Sequence, residues 1–334
     1  MTDKLRLGIV GAGAVTQVGH LPALRKVREI DVAGICDNDL GKARALADRF
    51  DIPVVHSDIA ELVDYAPLDA LLVCTPSHLH ESHVLAGLAA GLHVLVERPM
   101  SLTPQGVQKI LSAQRKADRV VMVGKNQRYR PDIQMIRSFV QSGELGELES
   151  IRAWWFLARS GRTSLGWRQR PQQSGGGAMF DLGHGLLDLA LWLADFPKVQ
   201  RVSAVFPDRG KGVEPAGTAM VTLEGGAAIH IDTTWRFVGP GERFGLALRS
   251  TRGSARIQPL AIWKEFHGVA QDVSVAGAHS RETPFLAGIR AQWAHFVACI
   301  RGDAEVPDLD EHGLVLKVLA AIYESAETGK DVVP

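Results

Sequence analysis

The stretch Leu5-Arg-Leu-Gly-Ile-Val-Gly-Ala-Gly-Ala-Val-Thr16 decides how the chain is read. Leu5 to Val10 is a short apolar run, the right length for a strand buried on both faces. It leads into the glycine turn Gly11, Ala12, Gly13, Ala14, Val15, and a helical stretch is expected through Arg28. A second strand, Asp31 to Cys36, ends at Asp37. Gly11 permits the tight turn, and Gly13 lets the backbone approach a pyrophosphate seated on the unpaired N–H groups of a helix start. Asp37 stands where a carboxylate accepts from ribose hydroxyls. The position of the usual third glycine holds Thr16, which implies a slightly looser first helical turn. A glycine turn alone is weak; strand, turn, helix, strand and acid in that order point to dinucleotide binding.

The rest of the chain bounds this reading. Its 334 residues exceed one doubly wound unit, so two domains are expected. Its 37 basic and 37 acidic residues cancel and are well mixed, with no basic face or arm for nucleic acid. The first residues lack an apolar signal core, and no run reaches membrane-spanning length. The odd, scattered set Cys36, Cys74 and Cys299 suits reduced thiols, so a cytoplasmic protein is expected. Gly11 to Ala23 lacks the terminal Lys-Ser/Thr of a P-loop.

Strands and helices alternate to about residue 124. Strands are expected at Pro53–Val55, Leu68–Cys74, His93–Val96 and Val120–Val123. Helices are expected at Leu40–Phe50, His80–Ala90 and Thr103–Ala117. Such repeats imply a parallel sheet covered on both faces, with ligands at the carboxyl ends of its strands. After a helix at Pro131–Ser142 the rhythm changes. A long strand at Leu148–Phe156, a loop at Arg159–Gly177 and an apolar helix at Ala178–Ala194 follow. Four or five strand-like runs fill Val199–Ile257, and helices at Pro284–Ile300 and Asp310–Glu327 close the chain. This half reads as a mostly antiparallel sheet with a helix against it. The expected domains are 1–124 and 125–334, with the C-terminal helices able to pack back across that boundary.

The chain resembles the Gfo/Idh/MocA family of nicotinamide-dependent oxidoreductases. The landmarks are Gly11-Ala-Gly13, His20-Leu-Pro-Ala-Leu24, Thr75-Pro-Ser-His-Leu-His80, Gly91-Leu-His93, Glu97-Arg98-Pro99 and Arg128. Trp167-Arg168, Ser174-Gly-Gly-Gly177, Asp181-Leu-Gly183, Asp188 and Ala321-Ile-Tyr323-Glu-Ser325 through Gly329 complete them. The resemblance implies an α/β protein. Its N-terminal Rossmann domain would hold a doubly wound parallel sheet, and its C-terminal α+β domain an open, mostly antiparallel one. It implies a dimer contact on the outer face of that open sheet, hence a homodimer or homotetramer. It implies sugar, cyclitol or polyol substrates, with hydride passing between nicotinamide and a carbinol carbon. The cofactor-binding set would be Gly11, Gly13, Ala14, Val15, Asp37, Thr75, Pro76, His80, Glu97, Arg98, Asn126, Trp167 and Arg168. The bland reading of Trp167 and Arg168 is that they anchor the loop. NAD is expected over NADP, because Asp37 would repel a 2′-phosphate and Asn38 offers no compensating cation.

Two family residues are replaced. The usual Glu-Lys-Pro is Glu97-Arg98-Pro99, and a guanidinium can clamp an oxyanion but not act as a base. Pro99 keeps Arg98 out of helical geometry and so aims it. At 100° per residue, Asp181, Gly185 and Asp188 fall at about 0°, 40° and −20° on a helical wheel. The family's catalytic histidine belongs at position 185, which holds Gly185. His184, one residue early, is within reach of Asp181 and Asp188. It is either a displaced acid–base group or a packing histidine. Lys125 offers either an amine near the nicotinamide or a solvated loop charge. His78, His80 and His83 lack a supporting acid or thiol cluster, so no metal is expected. The catalytic candidates are Arg98, Asp181, His184 and Asp188. An NAD-dependent dehydrogenase is the leading reading. A redox-assisted lyase or glycosidase using bound NAD, and a cofactor-binding protein without turnover, are the alternatives.

Overall fold

The computed structural model describes residues 4–65, 67–158, 166–207, 212–274 and 282–334. The chain forms two compact units. One is Met1–Arg130 with Glu282–Gly313, the other Pro131–Arg281 with Leu314–Pro334. The division falls at Arg130 rather than at residue 124, and Glu282–Gly313 returns to the first unit. The cause is the helix Pro284–Arg301, whose Trp293 and Phe296 are fully buried in the first unit's core. Each such side chain contributes about 1.5–3 kcal/mol by leaving water.

The first unit is a six-stranded parallel sheet, order β3-β2-β1-β4-β5-β6. Its strands are β1 (Leu5–Val10), β2 (Ile30–Cys36), β3 (Val55–His56), β4 (Ala70–Val73), β5 (His93–Glu97) and β6 (Val121–Gly124). Its helices are α1 (Leu21–Leu24), α2 (Leu40–Phe50), α3 (Ile59–Tyr65), α4 (His80–Ala89) and α5 (Pro104–Ala117). Strands β4, β5 and β6 are apolar on both faces because helices cover both. The order reverses at β1, so β1 and β4 flank the switch point where such sheets take ligands. The helix expected through Arg28 is shorter. A π turn, Thr16–His20, precedes α1. The wider i→i+5 turn is the looser start that Thr16 implied.

The second unit opens with α6 (Pro131–Gln141) and β7 (Leu148–Ala158). In the expected loop, residues 159–165 lie outside those described, and α7 (Pro171–Ser174) is a single short turn. A π turn, Met179–Gly183, leads into α8 (His184–Leu193). The strands β8 (Val199–Val205), β9 (Ala216–Leu223), β10 (Ala228–Phe237), β11 (Arg243–Ser250), β12 (Gly253–Arg256), β13 (Ala261–Phe266) and β14 (Val269–Asp272) follow. They form an eight-stranded sheet with β7, order β14-β13-β12-β11-β7-β10-β9-β8. All neighbours are antiparallel except β7 and β10. One alternating set, including Ala219, Val221, Ile229 and Ile231, is buried. Along β9 and β10 the other set is half-buried or exposed among the described residues. There a depression of about 350 Å³ is lined by Arg152, Trp154, Phe156, Thr218, His230 and Asp232 among others. In the sequence, the runs Ala219–Leu223 and Ala227–Ile231 read as apolar on both alternating sets, which points to two covered faces; the second face is mixed.

Candidate functional site

In the first unit the site grows from the turn after β1. Gly11 has φ +105°, and a Cβ there would stand 2.7 Å from the Cys74 carbonyl, so the fold itself demands glycine. Gly13 is different. A Cβ there would meet Cys74 O at 3.7 Å, an ordinary contact, so the protein leaves that approach open. Ala14 is exposed and Val15 half-buried beside it. Thr16 is fully buried and its Oγ1 donates to Gly11 O at 2.7 Å. The hydroxyl thus ties the turn that a third glycine would have let pack closer. Asp37, just past β2, accepts from Ala12 N at 2.7 Å through Oδ2 and from Asp39 N at 2.8 Å through Oδ1. Its carboxylate is therefore fixed at the lip of the glycine turn.

The carboxyl ends of β4 and β5 carry the next group. Thr75 and Pro76 are half-buried, and Thr75 Oγ1 lies 3.0 Å from His83 Nδ1. His80 is 2% exposed. Its Nδ1 lies 2.7 Å from Pro99 O and its Nε2 2.7 Å from Thr75 O. A neutral ring donates to only one of them at a time. Burial pushes its pKa down, against the pull of the two carbonyls. His80 thus links the Thr75–Pro76 turn to the Arg98–Pro99 turn, whose peptide is cis. His78, His80 and His83 do not converge on a common point for a metal among the described residues.

Glu97 ends β5. His20 Nε2 lies 2.9 Å from its Oε1. Burial pushes the Glu97 carboxyl up, but the His20 hydrogen bond and the Arg98 charge outweigh it and hold the carboxyl below the ordinary glutamate range. Gly124, the register partner of Glu97, packs against this carboxylate. Lys125 comes next, and it is not a solvated loop charge. It is 7% exposed, with Nζ 3.1 Å from Glu311 Oε2. Arg128 Nη1 approaches the same oxygen at 2.7 Å. Asn126 has a buried Nδ2 with no acceptor among the described residues. An orphaned donor here, the open approach at Gly13 and the fixed Asp37 carboxylate fit a nicotinamide dinucleotide.

In the second unit, Asp181 sits within the π turn. Its Oδ1 accepts from Arg168 Nε at 3.3 Å and its Oδ2 from Trp235 Nε1 at 3.3 Å. The Arg168 guanidinium stacks 4.6 Å over Trp167. Trp235 packs with Ala178 and Leu182, and Trp155 and Leu157 pack against them. The structure therefore gathers Trp167, Arg168, Asp181 and Trp235, placing Arg168 and Trp235 on the same carboxylate. His184 is 1% exposed, with its ring 6.5 Å from that of Phe180. Asp188, one turn on, is 3% exposed, whereas Asp181 and Gly185 are half-buried. His184 N donates to Met179 O, five residues back, so the uniform 100° step fails through 179–183. Arg98 belongs to the first unit, and Asp181, His184 and Asp188 to the second.

Some residues that build the site carried no role in the sequence reading. Trp235, Glu311 and Trp293 gave no local signal. Tyr323 lay inside a family landmark without an assigned task. Glu214 is 6% exposed and accepts from Gly177 N, Met179 N and Tyr323 Oη.

Residues 5–125 match an oxidoreductase family with an NAD-binding Rossmann fold, and residues 133–256 match the GFO/IDH/MocA C-terminal domain. D-glucoside 3-dehydrogenase of Escherichia coli (strain K12) is 25% identical, over 99% of this chain and 98% of its own. The NADP(+)-dependent scyllo-inositol 2-dehydrogenase of Bacillus subtilis (strain 168) is 24% identical, over 99% and 96%. The crystal structure of GenD2 from gentamicin A biosynthesis, in complex with NAD, is 25% identical over 99% of this chain and 97% of its own, with a TM-score of 0.85. Matched by both domains in their proper order, the chain belongs to the GFO/IDH/MocA family of oxidoreductases.

Proposed function

We propose that the protein is an NAD-dependent dehydrogenase acting on a secondary hydroxyl of a sugar, cyclitol or related polyol. The observation that carries this reading is the pair formed by open Gly13 and the Asp37 carboxylate pinned beside it. Gly11, Gly13, Ala14 and Val15 would hold the pyrophosphate, and Asp37 the adenosine ribose. Thr75, Pro76, Glu97, Arg98 and Asn126 would hold the nicotinamide half, with His80 shaping the two turns. Bound NAD supplies the hydride acceptor, or donor in the reverse direction.

The protein's own residues manage the proton and the charge. His184 takes the proton of the reacting hydroxyl, in the manner of a general base. Arg98, permanently charged, steadies the negative charge that develops on that oxygen. Asp181, held by Arg168 and Trp235, orients a neighbouring substrate hydroxyl, and the Trp155 and Trp235 side chains favour the apolar face of a sugar ring. The buried free thiols Cys36, Cys74 and Cys299 support a reducing, cytoplasmic setting. No helix among the described residues is long and apolar enough to cross a membrane. The mixed, partly exposed face of the second sheet supports a homo-oligomer, a dimer or a tetramer.

The test is a panel of sugars and cyclitols offered with NAD and followed by absorbance of NADH. Turnover of at least one supports the reading. Tight NADH binding with no turnover across the panel overturns it.

A further inference from the structure

Three successive amides at the start of the Asp181 segment go to one residue. Gly177 N lies 3.0 and 2.9 Å from the two carboxylate oxygens of Glu214, and Met179 N lies 3.0 Å from Oε1. Ala178 N donates to the Glu214 carbonyl at 2.8 Å. Tyr323 Oη donates to Oε1 at 2.6 Å and accepts from Gly177 N at 3.2 Å. Glycine is required at 177, since a Cβ there would fall 1.9 Å from the Glu214 carbonyl oxygen. A helix start has orphan N–H groups that need acceptors, and a local side chain usually supplies them. The N-cap here is Ala178, which makes no side-chain cap. The cap comes instead from Glu214, 35 to 37 residues away.

What this cap holds is not an ordinary helix. Met179–Gly183 is a π turn, and Asp181 lies within it. His184 begins the α-helix that follows. A segment that closed as α from the start would turn every later side chain by about 100° for each residue slipped. The amides of 177–179 set the phase of the turn, so their acceptor sets where Asp181 and His184 stand. A second link runs through rings. Tyr323 packs on Phe180 at 6.4 Å, and Phe180 faces His184 at 6.5 Å.

We propose that Glu214, braced by Tyr323, is a positioning residue that holds the π turn in register and thereby sets Asp181 against His184. The inference rests on the reading that those two serve the substrate hydroxyl. The Tyr323 phenol is held well above its ordinary pKa, by burial and then by the Glu214 charge, so it stays a donor. Burial holds the Glu214 carboxyl above its ordinary pKa, and the converging donors offset only part of that rise.

The experiment compares full-length wild type with Glu214→Gln and Tyr323→Phe by amide hydrogen exchange and by steady-state kinetics. Glutamine keeps the size but sets an NH2 group against N–H donors. Exchange over 177–183 should quicken about ten-fold or more in Glu214→Gln, the scale of losing a charge-assisted cap. Protection in the parallel sheet should stay as in wild type. Tyr323→Phe should act on the same segment, less strongly. The kcat of Glu214→Gln should fall by at least about ten-fold with the KM for NAD unchanged. Unchanged exchange over 177–183 in both variants overturns the proposal. So does quickened exchange with kcat intact. Should Glu214→Gln not fold, Tyr323→Phe carries the test by the same two readings. A wild type without turnover counts against the dehydrogenase reading alone, and the exchange data then decide this one.

Discussion

Trp293 Nε1 donates to His20 Nδ1 at 3.1 Å, and this one contact assigns a proton. An indole nitrogen can only donate, so Nδ1 is the acceptor and Nε2 carries the hydrogen. Nε2 therefore donates to Glu97 Oε1 at 2.9 Å. The relay runs from the helix Pro284–Arg301 to the end of β5, where it steadies the carboxylate that precedes Arg98.

That relay has a pH signature. Glu97 is held below its ordinary pKa despite burial, chiefly by the His20 hydrogen bond. A carboxyl lowered in the folded state contributes its full stability above the unfolded pKa. The contribution is lost as pH falls through the folded value. The window thus lies below the ordinary glutamate value of about 4.3. Urea midpoints measured down through that window should fall more steeply in wild type than in Glu97→Gln. Parallel curves for the two proteins would contradict the assignment.

Lys125 and Arg128 share Glu311 Oε2, both cations being buried. Removing the common anion takes an ion-pair partner from both buried cations at once. Removing one cation leaves a pair. Glu311→Gln should therefore cost about 3–5 kcal/mol, the scale of breaking a buried pair. Lys125→Met should cost about 1–3 kcal/mol. Denaturant unfolding of the two variants checks the order. Equal small losses would show the cluster to be energetically slack.

Much of this was legible in the sequence, and the failures have physical causes. The alternation to residue 124 is written in short apolar runs and turn residues, so the parallel sheet follows. Ile59–Tyr65 is too short to show a helical period, and Val269–Asp272 is exposed throughout, so neither announces itself. The π turn at Met179 has no local signature, because the acceptor for its first amide is Glu214, 35 residues on. Lys125 reads as a surface lysine until Glu311, 186 residues later, arrives beside it. Glu214 looks like any loop acid, since its three partners belong to distant segments. Local propensity reveals elements; it does not reveal which buried polar groups will find one another.

The expected preference for NAD over NADP rests on Asp37. Its Oδ2 holds Ala12 N, which leaves a fixed negative charge where an adenosine 2′-phosphate would come. Fluorescence titration should show NADH bound more tightly than NADPH. Asp37→Asn, which keeps the Ala12 contact within reach of an acceptor oxygen, should narrow the gap. Equal or tighter binding of NADPH by the wild type would sink the preference.

The second sheet's partly exposed face predicts association. Trp154 lies across Gly245, where a Cβ would meet its ring at 2.1 Å, and Phe156 sits 5.6 Å from Phe237. These aromatic surfaces stand beside Arg152, His230 and Asp232 on the same face. A mixed face of this kind suits a self-complementary contact. Light scattering at micromolar concentration should give a dimer or tetramer mass, and Trp154→Glu should shift it toward monomer. A clean monomer for the wild type contradicts the prediction.

The last prediction concerns turnover without the usual lysine and histidine. A proton must leave the reacting hydroxyl during oxidation. Arg98 cannot take it, because a guanidinium stays protonated. Gly185 has no side chain. Asp181 is committed to Arg168 and Trp235, which occupy its two carboxylate oxygens. Of the remaining His184 and Asp188, the imidazole is the usual acid–base group at neutral pH, and His184 is the first residue of α8, fixed in phase by the turn before it. His184→Ala should therefore lower kcat by roughly 10²-fold or more, the usual scale for a general acid–base group. NADH affinity, set by the first unit, should barely change. Arg98→Ala should cost as much, because it removes the charge that steadies the developing alkoxide. Arg98→Lys should recover part of the loss. Steady-state kinetics on the best sugar of the panel give all three numbers. Near-normal turnover by His184→Ala would mean that His184 only packs, and Asp181 would then be the group to vary next.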